Sequence, residues 1–191
     1  MPLSNQKLII ITAPSGAGKT SITRFLLNKY PRLSFSISAA TRKPRAGEQD
    51  GVQYHFLSEE QFRFKIEAGE FVEWEMVYEG CYYGTLKSEL QRIWDAGKVP
   101  VLDIDVKGAI HIQQQFSGNS LSIFIEPPSV EELKKRLESR GTETAESMAT
   151  RLSKASYEMS FSHQFNKTIV NRDLDIACLE TEKAIKEFLG W

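Results

Sequence analysis

The first stretch of this chain in which residue types and spacing could do chemistry is a glycine-rich turn closed by a lysine and a hydroxyl. Ala13, Pro14, Ser15, Gly16, Ala17, Gly18, Lys19 and Thr20 read against the pattern G-x-x-x-x-G-K-[ST] with one departure, Ala13 in place of the first glycine. The departure is mild, because alanine can end a strand where a Cβ still fits. Gly16 and Gly18 let backbone N–H groups turn inward, and a helix starting there adds the positive end of its dipole, so the turn suits β- and γ-phosphate oxygens. Lys19 would reach the β/γ bridge and the Thr20 hydroxyl would sit on Mg²⁺. The motif specifies a nucleoside triphosphate and leaves the phosphoryl acceptor open. VPVLDID supplies an acidic partner, since Asp103 and Asp105 are two apart on an expected strand and so share a face. Either would hold Mg²⁺, directly or through water, or orient a phosphate-binding arginine; a solvated strand end is the alternative.

These groups need a scaffold. Leu8 to Ala13 is a short apolar run rich in β-branched residues, the pattern of a parallel strand buried on both faces. The helix after the turn places Ile22, Phe25 and Leu26 on one face. Further strands are expected at Val99 to Asp105, Leu121 to Glu126 and Thr168 to Asn171, with helix-length segments between them. The last helix should bury Leu174, Ala177, Cys178, Thr181, Ile185 and Phe188. This alternation implies an α/β fold, a phosphate-loop core built on a parallel sheet, in a single domain spanning residues 1–191. Residues 36–88 break the alternation and read as a mixed, mostly β insertion with one helix, opened by the capping-box pair Ser58 and Gln61 and stopped near Gly69. Residues 129–157 read as two helical segments around an irregular piece, the first opening at Ser129 with Glu132 three residues on.

Composition excludes several classes. A net charge of −1 with no basic run gives no electrostatic reason to expect nucleic acid or an anionic membrane as partner. The two cysteines, Cys81 and Cys178, fit no metal or disulfide pattern, and His55, His111 and His163 lack ligand spacing. A cytoplasmic location with reduced thiols is expected, as a monomer or weak homo-oligomer.

Around the insertion the motifs become specific. The phosphate loop, TRKPRxGExxGxxY, EW, YYGT, LDID and RGTET together resemble the guanylate kinase family, from the first strand to VNRDLD near the C-terminus. The resemblance implies that residues 36–88 are a GMP-binding insertion and residues 129–157 a mobile helical lid, with ATP and GMP as substrates and Mg²⁺ as cofactor. Carried onto this chain, it makes Arg42, Arg45, Tyr54 and Tyr83 the grip on the GMP phosphate, which guanidinium forks and phenols can bind without metal. Asp103 joins the GMP-binding set. Glu73 would read the base, because one carboxylate accepts from both N1–H and the exocyclic N2–H₂ of guanine, an arrangement adenine lacks. A hydroxyl from Ser38 or Thr85 would donate to O6. The resemblance also places catalytic arginines at Arg140 and Arg151 and puts Asn171 near adenine in a loose contact. Lys19, Mg²⁺ and the two arginines would then surround the transferring group.

Three other readings compete. Guanylate kinase-like peptide-binding modules lack catalysis, but Lys19, Thr20, Arg140 and Arg151 are all present here. A GTPase would need an NKxD element, which NKTI at Asn166 and NRDL at Asn171 do not supply. A kinase for AMP, UMP or another acceptor is disfavoured by Glu73 with Ser38 and Thr85.

Overall fold

The computed structural model describes residues 6–139 and 145–191. In chain order, strand β1 (Leu8–Thr12) leads through the glycine turn to helix α1 (Lys19–Lys29) and strand β2 (Leu33–Phe35). Strands β3 (Ala39–Ala40) and β4 (His55–Phe56), helix α2 (Glu59–Glu67) and the hairpin β5 (Phe71–Tyr78) and β6 (Cys81–Leu86) follow. The chain then returns through α3 (Lys87–Asp95), β7 (Val99–Asp103), α4 (Val106–Gln115) and β8 (Ser120–Glu126). Helices α5 (Val130–Glu138) and α6 (Ala145–Met159), strand β9 (Lys167–Val170) and helix α7 (Leu174–Leu189) complete it.

The core is a parallel five-stranded sheet in the order β2-β7-β1-β8-β9. Every residue of β1 is buried, as a central strand covered on both faces requires. Its alternation divides the core: Ile9 and Ile11 join Ile22, Leu26, Ile123 and Ile185 on one face, while Leu8 and Ile10 join Leu90, Leu102, Ile112 and Phe124 on the other. Each fully buried isoleucine contributes about 1.5–3 kcal/mol relative to an exposed one. From β1 the chain runs out to the edge at β2, returns to β7 beside β1, then crosses to β8 and β9 on the other side. The carboxyl ends of β1, β7 and β8 therefore meet where the winding reverses, which is where open α/β sheets leave a crevice for ligands.

The second sheet has the order β4-β3-β6-β5, with β3 and β4 parallel and the other pairs antiparallel. Helix α2 covers it through Phe62, which stacks on Phe71 at 4.3 Å between ring centres and on Tyr82 at 5.4 Å. Ser58 caps α2 with the reciprocal box expected from Gln61, and Ser129 caps α5 by accepting from the Glu132 N–H.

Three expectations change. The core sheet has an additional edge strand, β2, too short to carry a readable pattern. Strand β7 stops at Asp103, and Asp105 instead caps α4 by accepting from the Gly108 N–H at 2.9 Å, so the two aspartates do not share a strand face. Helix α7 buries Ala177, Cys178, Thr181 and Ile185 as expected, but Leu174 is 43% exposed. Asp173 caps the helix there, and its first turn stands in solvent, with Ile176 exposed as well.

Candidate functional site

The turn between β1 and α1 is shaped by its glycines. Gly16 and Gly18 take φ of 95° and 101°, the left-handed region, and the Ala17 N–H donates to the Pro14 carbonyl at 3.1 Å. No side chain caps α1 and no acidic residue sits in its first turn, so its N-terminal N–H groups face the crevice without a competing carboxylate. Asn171 is 4% exposed, and its side-chain amide donates to the Ala17 carbonyl at 2.7 Å. Its side chain is thus committed to the underside of the loop and does not line the cleft. A Cβ on Gly18 would come within 2.2 Å of the Asn171 amide nitrogen, so glycine is required there by packing as well as by φ. We expect Asn171→Ala to destabilise the protein by about 1–3 kcal/mol, because it leaves a buried carbonyl without a donor. Urea unfolding measures this, and an unchanged midpoint would show that the loop does not depend on the contact.

Lys19 and Asp103 approach to 2.5 Å, each side chain 22% exposed. They line a cleft of about 700 Å³ with Ser15, Thr20 and Asp105. Ser38, Arg45, Tyr54, Glu73 and Tyr83 line the opposite wall of the same cleft. Loop, strand ends and second sheet therefore enclose one space, which spacing along the chain could not reveal.

Glu73 on β5 is 7% exposed and pairs in register with Thr85 on β6. The Thr85 hydroxyl donates to Glu73 Oε1 at 2.7 Å. Thr85 is itself buried and does not line the cleft, so of the two hydroxyls expected near a guanine O6, Ser38 is the one that faces the space. Burial pushes the Glu73 carboxyl up to about 7; the Thr85 hydrogen bond works against this, and the neighbouring charges of Asp105 and Glu75 add to it. Gly108 leaves room for the acid, since a Cβ there would meet Glu73 Oε2 at 2.9 Å.

Arg42 has a partner inside the insertion. Its fork closes on Glu48, with contacts of 2.6 and 2.7 Å, and it does not line the cleft. Arg45 is exposed and does line it. Tyr54 and Tyr83 meet edge-on at 5.9 Å between ring centres.

Helices α5 and α6 approach from the third side. Leu133 and Leu137 of α5 pack so closely on Gly16 that a Cβ there would meet Leu137 at 2.9 Å. Arg136 donates to the Asn171 carbonyl at 2.9 Å. Arg151 Nη1 reaches the Ser15 hydroxyl at 3.0 Å. Arg140 lies outside the described residues. Among the described residues no group of three or more His, Cys, Asp or Glu side chains is arranged to hold a metal ion, and no helix is long and apolar enough to cross a membrane.

Three charged cleft residues escaped sequence reasoning: Glu75, Lys154 and Glu158. A signal existed for each. Glu75 shares a strand face with Glu73, and Lys154 and Glu158 follow Arg151 at helical spacing. Burial raises the Glu158 carboxyl, with Lys154 and Lys19 acting against it.

A family model described as Guanylate kinase matches residues 5–188. A guanylate kinase of Porphyromonas gingivalis is 50% identical over 186 residues, covering 96% of this chain and 98% of that protein. One from Bacteroides thetaiotaomicron is 49% identical over 184 residues, covering 96% of this chain and 90% of its own. Among solved structures, the crystal structure of guanylate kinase from Anaplasma phagocytophilum matches with a TM-score of 0.74 at 28% identity, over 96% of this chain and 86% of that one.

Proposed function

The chain belongs to the guanylate kinase family, and we propose that it moves the γ-phosphoryl group of Mg²⁺-ATP onto GMP or dGMP, giving ADP and GDP or dGDP. The observation that carries this reading is the shared cleft: a phosphate loop on one wall and a buried, hydroxyl-braced carboxylate on the other, within one space of about 700 Å³.

In this reading the loop N–H groups and Lys19 hold the ATP phosphates, and the incoming charge takes over Lys19 from Asp103. The donor set fits a metal held mostly by phosphate oxygens and water: the exposed Thr20 hydroxyl and Asp103 share the cleft, with Asp105 engaged in capping α4. Bound there, Mg²⁺ would neutralise charge developing on the β- and γ-oxygens. Glu73 accepts from guanine N1–H and N2–H₂, and Ser38 donates to O6. Arg42, Arg45, Tyr54 and Tyr83 serve the acceptor phosphate. The attacking atom is an already ionised phosphate oxygen, so the residues need only supply positive charge and alignment. Arg151, already touching the loop at Ser15, and Arg140 bring that charge from the helical pair at 129–157, which acts as a lid over the ATP site and excludes water. We place the enzyme in the cytoplasm, in purine nucleotide interconversion, a location consistent with two free thiols.

A coupled assay of ADP release across the nucleoside monophosphates tests the function. GMP is expected to be used far faster than AMP, CMP or UMP; equal rates with AMP would refute the base-reading role of Glu73, and no turnover with any of them would favour a binding module.

The same site predicts a pH dependence. Only the ionised Glu73 presents two acceptors to guanine, and its carboxyl titrates near 7. As pH falls through that value the carboxyl gains a proton, so the KM for GMP is expected to rise, approaching about tenfold per pH unit below it. Above it the KM should level off. The profile of Glu73→Gln separates this from ionisation of GMP itself, and persistence of the full inflection in that variant would assign it elsewhere.

A further inference from the structure

Glu48 belongs to no expected set, yet two residues of the expected phosphate grip, Arg42 and Arg45, bond to it directly. Its Oε2 accepts from Arg42 Nη1 at 2.6 Å and its Oε1 from Arg42 Nη2 at 2.7 Å, a two-point fork. Oε2 also accepts from the Arg45 backbone N–H at 2.7 Å. The turn that brings Glu48 back is closed by its own N–H donating to the Arg45 carbonyl at 3.0 Å, with Gly47 at φ 84°. The guanidinium so held lies 4.7 Å from the Tyr54 ring centre, and its charge is felt at the Tyr83 phenol. Both rings line the cleft.

The Arg42 and Glu48 side chains are only 15% and 17% exposed, so solvent screens this pair less than an open surface bridge. Glu48 is held at about 2, by the Arg42 fork first and then by the Arg45 amide, and stays ionised across the working range. An arginine in open solvent loses rotamer freedom when it captures a phosphate; one already fixed has less to lose. Glu48 takes two of the five N–H donors of Arg42, the Lys43 carbonyl accepts a third at 3.1 Å, and Glu48 takes none from the Arg45 side chain, which leaves donors on both arginines for an anion.

We propose that Glu48 is a positioning residue for the acceptor phosphate, a single carboxylate that sets Arg42, the Arg45 turn and, through Arg42, both phenols before the nucleotide arrives. This rests on the reading of that wall as the grip on the GMP phosphate. The opposite role, a carboxylate that occupies the arginine and must be displaced, differs in sign.

Steady-state kinetics on the full chain decide it. Glu48→Gln keeps the shape but sets an amide donor against one Arg42 nitrogen. We expect the KM for GMP to rise about tenfold, with kcat at saturating GMP and the KM for ATP changed by less than about twofold. In an Arg42→Lys background, where the fork is already lost, the same change should add less than about twofold. Glu48→Asp, which retains the charge, should recover part of the loss. An unchanged or lowered KM for GMP in Glu48→Gln would overturn the proposal, a lowered one marking a competitor. Full additivity with Arg42→Lys would also overturn it, as would an equal loss for ATP with a lower melting temperature, the sign of fold support alone. If Arg42→Lys itself leaves the KM for GMP unchanged, the assignment of this wall to the GMP phosphate fails, and the positioning role fails with it.

Discussion

Lys19→Met is expected to lower kcat for transfer from ATP to GMP by about 10³-fold or more, since one preorganised donor aimed at developing charge is worth about 10²–10³ and this one also carries a full charge. The cleft makes the loss severe. Asp103, Asp105, Glu73, Glu75 and Glu158 all face it, against Lys19, Arg45, Arg151 and Lys154. Removing Lys19 takes away a cation and also leaves Asp103, now 2.5 Å from the ammonium, bare toward the incoming phosphates. Stability should hardly change, because a partly exposed pair contributes only about 0–1 kcal/mol. Stopped or continuous coupled assays measure the rate, and thermal melting checks the fold. A variant that retains even a tenth of the activity would remove Lys19 from the chemical step.

Glu73→Gln is the second large effect. Glutamine is nearly isosteric and its carbonyl can still accept from Thr85, so the hairpin should hold. What changes is the face shown to the base. One acceptor becomes an NH₂ donor pointed at a guanine donor, and a site built to pair a polar edge rejects a mismatch by on the order of 10⁴-fold. We expect kcat/KM for GMP to fall by about 10³-fold or more, while the KM for ATP stays within about twofold. Stability should rise slightly at neutral pH and above, because the substitution removes a buried carboxyl whose ionisation is opposed by burial, Asp105 and Glu75. A KM for ATP that moves in parallel with that for GMP would point to a collapsed cleft rather than a lost contact.

Local patterns made much of the core legible. The all-buried run Leu8–Thr12, the glycine turn, the capping box at Ser58, the cap at Ser129 and the buried stripe of α7 follow from interactions within a few residues of each other. Local patterns were silent where a neighbour distant in sequence decides. β2 is a strand only because β7 offers it an edge. Asp105 leaves the sheet because α4 begins there and needs a cap. Thr85 turns its hydroxyl to Glu73 because β5 and β6 pair them in register. Arg42 meets Glu48 because a turn at Gly47 folds the loop back.

Residue order by itself determined that a glycine turn opens a helix, that a parallel α/β core carries it, and which family pattern the chain follows. Those properties are written in spacings of one to four residues, where backbone geometry leaves few alternatives. Only the tertiary structure decided that Glu73 is buried and titrates near 7, that Asn171 braces the loop from beneath, and that two sheets and a helix share one cleft. Burial and charge proximity are sums over groups far apart in the chain, so no local pattern encodes them.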